Sequence, residues 1–207
     1  RSRPDLLRCI NTLVDPLNLE EALVKTNAFG KTLLQKAREA DLDVVANYVQ
    51  PTGVLAQVRN GLMVEDNDGA LWSGYYAYSQ AMRYQVTGDQ AAKDNVETFG
   101  RGLRTAMVLT GRDDEFARTL RTSRGLPLGT RWVAGTGAYA GIEWKKGGNN
   151  DMYKGLLWAG LALATVNSPL KADFGAALNR LNHNHSVTQG TRRIGNRLIS
   201  NGVVSVL

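Results

Sequence analysis

Two kinds of apolar pattern alternate along the chain. Over residues 19–40, Leu23, Phe29, Leu33, Leu34 and Ala37 recur at helical spacing with Glu, Lys and Gln between them, the stripe of an amphipathic helix with one wet side. Residues 70–86 are different: Trp72, Tyr75, Tyr76, Tyr78, Ala81, Met82, Tyr84 and Val86 leave almost no polar face, and such a helix is expected to be buried. Residues 90–109 return to the amphipathic kind, with Val96, Phe99, Leu103 and Met107 set against Lys93, Asp94, Glu97, Arg101 and Arg104. Residues 152–166, "MYKGLLWAGLALATV", are apolar nearly all round, and residues 170–181 are amphipathic again.

This order of outer, inner, outer, inner, outer predicts helical hairpins in two concentric layers. It points to an all-α fold, an α/α toroid or partial toroid, rather than a simple bundle. The connections differ in length in a regular way. "TGD" at 87–89 and "NSP" at 167–169 are compact stop-and-start signals, whereas about 29 and about 41 residues separate the other pairs. Antiparallel neighbours would then place both long connections, and the starts of both apolar helices, at one end. Connections of that length usually carry function or strands of their own. In the first, "VVANYVQPTGVLAQVR" reads as a hairpin around Pro51-Thr52-Gly53; in the second, "TRWVAGTGAYAGIEW" reads as containing a strand. Near the end, 194–199 reads as a short helix and 203–207 as a strand or tail.

The 207 residues are expected to form one domain, 1–207. The chain opens at Arg1 with no apolar leader, so its original N-terminus is expected to be processed or to lie outside this sequence; a periplasmic or secreted location is favoured if an export signal has been removed. Residues 152–166 are too short, and too interrupted by Lys154, to span a bilayer.

With 43% hydrophobic residues the chain can bury a real core. Cys9 is the only cysteine, which excludes an internal disulfide and a cysteine-based metal site. His183 and His185 form H-x-H without an evident carboxylate partner, and no metal or cofactor is expected. The net charge of +6, from 25 basic and 19 acidic residues, favours anionic partners. It is not concentrated in one run, and no nucleic-acid module appears, so nucleic acid is disfavoured.

"DNDGALWSGYYAYSQAMRYQVTGDQAA", then "FART", then "EWKKGGNNDMYKGLLWAGLALA", resemble the six-hairpin glycosidase superfamily over about residues 60–185. The resemblance implies an (α/α)6 barrel that holds sugar in a cleft at one mouth; the five helices read here are fewer than half of such a barrel, so the domain is expected to be incomplete, a piece of a larger barrel completed by other residues or by a partner chain. Relatives that cleave unsaturated uronyl sugars use acidic residues near inner-helix starts, and the matching positions are Asp68 and Asp151, with Asp66 beside the first. The activity expected is that of a glycoside hydrolase, or a polysaccharide lyase, acting on an anionic polysaccharide or its oligosaccharides, with an acidic or neutral carbohydrate as partner.

The residues themselves allow two readings. A carboxyl at a partly desolvated mouth can donate a proton while a second positions water, the minimum equipment of most glycosidases. Asp is equally a favoured helix N-cap. Trp72 and Tyr76, with Tyr75, offer a stacking face for a sugar ring, or else pack in the core. Trp132 and Trp144, with Tyr139, lie in the long connection, where an aromatic has fewer structural reasons to exist. Arg121 and Arg124, within a basic group that includes Arg118, Arg131, Lys145 and Lys146, would pair with carboxylate or sulfate on an anionic sugar, or simply solvate the surface. The rival function is a non-catalytic module that docks to a partner through the exposed flanks of an unfinished toroid.

Overall fold

A computed structural model describes residues 30–65, 67–125, 127–187, 191–194 and 197–200; side chains are described as far as residue 182. The described residues form five α-helices and three small antiparallel sheets. The chain divides into two compact units, Arg1–Asn47 and Tyr48–Leu207.

In the first unit, α1 spans Leu33–Asn47. Thr32 and Gln35 form a reciprocal capping box: the Thr32 hydroxyl accepts from the Gln35 amide at 3.1 Å, and the Gln35 side chain accepts from the Thr32 amide at 2.8 Å. None of its residues is buried, and Leu42 is 71% exposed. The helix expected over 19–40 thus begins at Leu33 and runs on to Asn47; residues 19–29 lie outside the described residues, as does Cys9.

In the second unit, a tight turn at Pro51-Thr52-Gly53 closes a single bridge between Val49 and Leu55. The true hairpin comes next: β1 (Ala56–Arg59) pairs with β2 (Leu62–Glu65). Asn60 and Gly61 both take positive φ, 51° and 74°, which is the two-residue hairpin geometry that an Asn-Gly pair adopts most readily.

The body is built from α2 (Gly69–Thr87), α3 (Gln90–Val108), α4 (Asn150–Thr165) and α5 (Lys171–Val187). The short connections form as the sequence predicts. Gly88 closes α2 in the left-handed conformation, and the Asp89 carboxylate caps α3 through the Ala91 amide at 3.0 Å. Between α4 and α5, the buried Ser168 hydroxyl donates to Glu97 of α3 at 3.1 Å.

The helix directions follow from who meets whom. Gly155 abuts Ala70 and Gly74, Trp158 meets Tyr75 and Tyr78, and Gln85 donates to the Thr165 carbonyl at 3.0 Å, so α2 and α4 run parallel. Tyr76 meets Phe99 and Gln80 meets Asn95, so α3 runs back along α2. Gly160 lies against Phe174 while Tyr153 donates to Asn182, so α5 runs back along α4. The starts of α2 and α4 therefore share one end of the unit, and the two long connections serve that end.

The core fills from amphipathic α3 and α5 onto small residues of α2. Val96, Phe99 and Leu103 of α3, and Leu156 and Leu163 of α4, are fully buried, as is Phe116 from the connection. On α2 the buried residues are Gly69, Ala70, Ser73, Gly74, Ala77, Gln80 and Ala81. The expectation that α2 is buried all round is thereby corrected. Trp72 (50% exposed), Tyr75 (40%), Met82 (38%) and Val86 (69%) form a stripe that no described element of this unit covers. Small side chains let α2 pack closely on α3 and α4, and its large ones are left on the outside.

The second long connection folds into a three-stranded sheet in the order β3 (Leu120–Thr122), β5 (Ile142–Lys145), β4 (Trp132–Ala134), with a short 3-10 turn at Gly137–Tyr139. Near the C-terminus, β6 (Thr191–Ile194) pairs with β7 (Arg197–Ser200), a hairpin where a short helix is expected at 194–199. His183 and His185 fall inside α5. Among the described residues no helix is long and apolar enough to cross a membrane.

Candidate functional site

The shared end of α2 and α4 is organised by Arg118. Its Nε donates to the Asn67 carbonyl at 3.0 Å, its Nη1 to the Gly147 carbonyl at 3.0 Å, and its Nη2 to the Asp68 carboxylate. Its backbone carbonyl takes the Ala70 amide at 2.9 Å, one of the amides that a helix start leaves without an internal partner. One side chain, only 11% exposed, thus ties the segment before α2 to the segment before α4. Lys145 adds a second tie by donating to the Asn67 side chain.

Asp68 occupies the N-cap position of α2, but its side chain makes no capping bond. Its carboxylate faces Arg118 and is 41% exposed. Asp151 lies in the first turn of α4 and is not the cap; Asn149 is, accepting from the Met152 amide at 3.3 Å. The Asp151 carboxylate is 57% exposed and pairs with Lys154 at 3.1 Å, a surface pair that contributes little to stability. The parallel helices bring both acids to one end of the unit, and neither is a side-chain cap. Asp66 lies outside the described residues.

The aromatic candidates divide by environment. Trp72, one turn into α2 from Asp68, begins a chain of tilted rings: Trp72 to Tyr75 at 6.2 Å, Tyr75 to Trp158 at 5.9 Å and Trp158 to Tyr78 at 4.6 Å. Trp72 and Tyr75 present open surface. Tyr76 turns the other way, edge-on to Phe99 at 5.2 Å, and burial pushes its phenol up to about 12. It is a packing residue between α2 and α3 rather than a sugar-stacking one. Trp144 is 5% exposed and belongs to the core, because β5 turns it, like Leu120 opposite it, towards the helices. Its expected stacking role does not fit that burial.

The opposite face of the same sheet carries Arg121, Glu143, Lys145 and Trp132. Arg121 donates to Glu143 at 2.6 Å and lies 3.9 Å above the Trp132 ring; Lys145 lies 5.6 Å from that ring. Glu143 is 3% exposed and also accepts from the Ser123 hydroxyl at 2.9 Å. Burial alone would raise its carboxyl. The hydrogen bonds from Arg121 and Ser123, the Arg121 charge and a backbone bond from Arg124 outweigh that, and hold it below the usual carboxylate value. Arg121 is thus engaged in an internal pair and covers one face of Trp132, rather than reaching outward for an anion. Arg124 is exposed, and its backbone serves Glu143.

No sequence motif marks Glu143, and none separates Arg118 from its basic neighbours. The available signal for Glu143 is the alternation in "GIEWK", an acid on a strand whose apolar neighbours face the core. Arg118 has no comparable local signal, because its three acceptors lie about 50 and about 30 residues away. Among the described residues no group of His, Cys, Asp or Glu is arranged to hold a metal ion. No family model, curated protein or solved structure matches the chain.

Proposed function

We propose that this chain is a carbohydrate-active protein whose sugar-binding face runs from the shared start of α2 and α4 along their exposed aromatic side. The observation that carries this reading is the chain of rings Trp72, Tyr75, Trp158 and Tyr78, shared between two parallel helices, open at Trp72 and Tyr75, and leading to the end that holds Asp68 and Asp151. Flat apolar faces edged by hydroxyls match the alternating C–H faces and hydroxyl rims of pyranose rings. In this reading α2 and α4 are inner helices of an arc of an α/α toroid, with α3 and α5 outside them.

The finer proposal is glycoside hydrolysis with Asp68 and Asp151 as the two carboxyls. One protonates the departing oxygen and the other guides water or stabilises the positive charge that develops on the sugar. Arg118 then acts as a positioning residue that fixes the rotamer of Asp68. The test is a panel of oligosaccharides incubated with the wild-type chain, Asp68→Asn and Asp151→Asn. Loss of at least a hundredfold in turnover, with an unchanged melting curve, supports the assignment. Unchanged turnover of an accepted substrate removes that carboxyl from the mechanism.

A second reading is favoured by the far half of the same stripe. Beyond the rings it becomes aliphatic, with Met82 and Val86 on α2, and Leu161 on α4 is 47% exposed. Aliphatic surface of this kind suits a protein partner better than a sugar. If the chain is instead a docking module, light scattering or pull-down with a partner will show an assembly that Val86→Asp dissolves, while sugar binding is absent.

A further inference from the structure

The connection from β3 to β4, residues 123–131, crosses its own sheet. Both strands run antiparallel to the central β5, so they are parallel to each other, and a chain leaving the end of one must pass β5 to reach the start of the other. The sheet face that carries Leu120 and Trp144 is turned to the helices. The crossing therefore takes the other face, the one that carries Glu143, and this is why a carboxylate on an outer sheet face is only 3% exposed.

Glu143 holds the start of the crossing. It accepts from the Ser123 hydroxyl at 2.9 Å and from the Arg124 backbone amide, while Arg121 donates to its other oxygen at 2.6 Å. Beyond that anchor the chain is open: residues 122–125 and 127–131 are all exposed, and among the described residues Pro127 and Leu128 make no backbone hydrogen bond. Two arginines lie on this stretch, and they differ. The peptide bond after Arg131 is held on both sides, its carbonyl accepting from the Lys146 amide at 2.9 Å and the Trp132 amide donating to the Gly129 carbonyl at 3.0 Å. The bond after Arg124 is held more loosely. The Gly125 amide reaches the Ser123 hydroxyl only at 3.5 Å, longer than a well-formed bond.

We propose that the peptide bond between Arg124 and Gly125 is a processing site for a protease that recognises a basic side chain, and that Glu143 is the latch that keeps it closed. Exposed loops of small and polar residues are where chains are nicked, but a protease must also draw the segment out of its local contacts. Ser123 sets that cost. Its hydroxyl donates to Glu143 and accepts from the Gly125 amide, so the scissile bond is one hydrogen bond removed from the buried carboxylate. Cleavage adds water across the bond and leaves a carboxylate on Arg124 and an amine on Gly125. The two pieces stay joined, because β3 and α2 of one are paired and packed with β5 and α4 of the other. The cut therefore opens the crossing without dismantling the unit, and it does not depend on the carbohydrate reading.

The experiment is limited digestion of the full chain with dilute trypsin, the cuts located by mass spectrometry and the products sized by gel filtration. The first cut within residues 48–187 is expected after Arg124, with both fragments eluting together at the size of the intact chain, and Arg124→Gln is expected to remove it. Glu143→Gln is expected to speed that cut roughly tenfold and Ser123→Ala roughly threefold, as the loss of a charged and of an ordinary hydrogen bond implies. Repeating the digestion in urea below the unfolding transition separates local opening, whose rate stays level, from global unfolding, whose rate climbs. A first cut elsewhere in 48–187, a rate that climbs with urea, or fragments that separate overturns the processing site. A rate that neither substitution changes overturns the latch, and if Glu143→Gln fails to fold, Ser123→Ala alone decides it.

Discussion

Gly74 of α2 and Gly155 of α4 meet backbone to backbone: a Cβ on Gly74 would overlap the Gly155 peptide, and one on Gly155 would lie 2.6 Å from Leu71 Cα. No side-chain rotation relieves an overlap with backbone, so the helices must move apart to admit even a methyl group. Gly155→Ala is expected to cost about 3 kcal/mol, the upper end of overpacking penalties, or to prevent folding. Gly175→Ala on α5, where an added Cβ meets nothing within 4 Å, is expected to gain about 0.5–1 kcal/mol. Urea midpoints at constant slope measure both.

Removing Arg118 disconnects three acceptors at once. Arg118→Ala is expected to destabilise the unit by about 2 kcal/mol, in the range for a hydrogen bond to a charged group, with Asp68 discounted for its exposure. Arg118→Lys keeps the charge but not the geometry that reaches Asn67, Asp68 and Gly147 together, and is expected to recover less than half. Denaturation midpoints of the two variants decide it, and equal stability of wild type and alanine variant contradicts the account.

Glu143 makes a pH signature. Its carboxyl is held below its ordinary value of 4.5 in the folded chain, so the folded state prefers the ionised form more strongly than the unfolded state does. That contribution is fully present above about pH 4.5 and is lost as pH falls through the lower folded value. Glu143→Gln is expected to be less stable than wild type at pH 7, with the gap narrowing as the pH is lowered below 4.5. A gap that widens on acidification would falsify the sign.

Trp72 and Trp144 are predicted to behave oppositely. Trp72→Ala removes a half-exposed ring and is expected to change stability by less than about 0.5 kcal/mol while weakening sugar binding. Trp144→Ala empties a core position and is expected to cost about 3–5 kcal/mol. Thermal melts alongside titration of each variant with an accepted saccharide separate the two roles.

The helix order, the short turns and the common end of the two apolar helices were legible because periodicity and capping chemistry are local. Asn60-Gly61 was equally legible, and it outranks Pro51-Thr52-Gly53 as a hairpin signal because both central residues readily take positive φ. What could not be read was which side of α2 is inside. Large apolar residues suggest a core, yet on α2 the glycines and alanines pack and Trp72, Tyr75 and Val86 do not, since close helix approach selects for small side chains. The site was half legible. Asp68 and Asp151 stand at one end as their helix starts imply, but their partners depend on contacts between distant segments: Arg118 reaches Asp68 across 50 positions. Trp144 and Trp132 sit on neighbouring strands of one sheet, yet the pleat alone decides that one ring enters the core and the other receives Arg121.

Arg118 also bears on how a ligand would be met. It already holds the segments at Asn67 and Gly147 together, so a saccharide bound there as proposed would have little chain left to immobilise. In the proposed reading, affinity at that mouth would be governed mainly by how well the sugar fits it, and loosening Arg118 would free the Asp68 carboxylate as well as the two segments, making every productive encounter rarer.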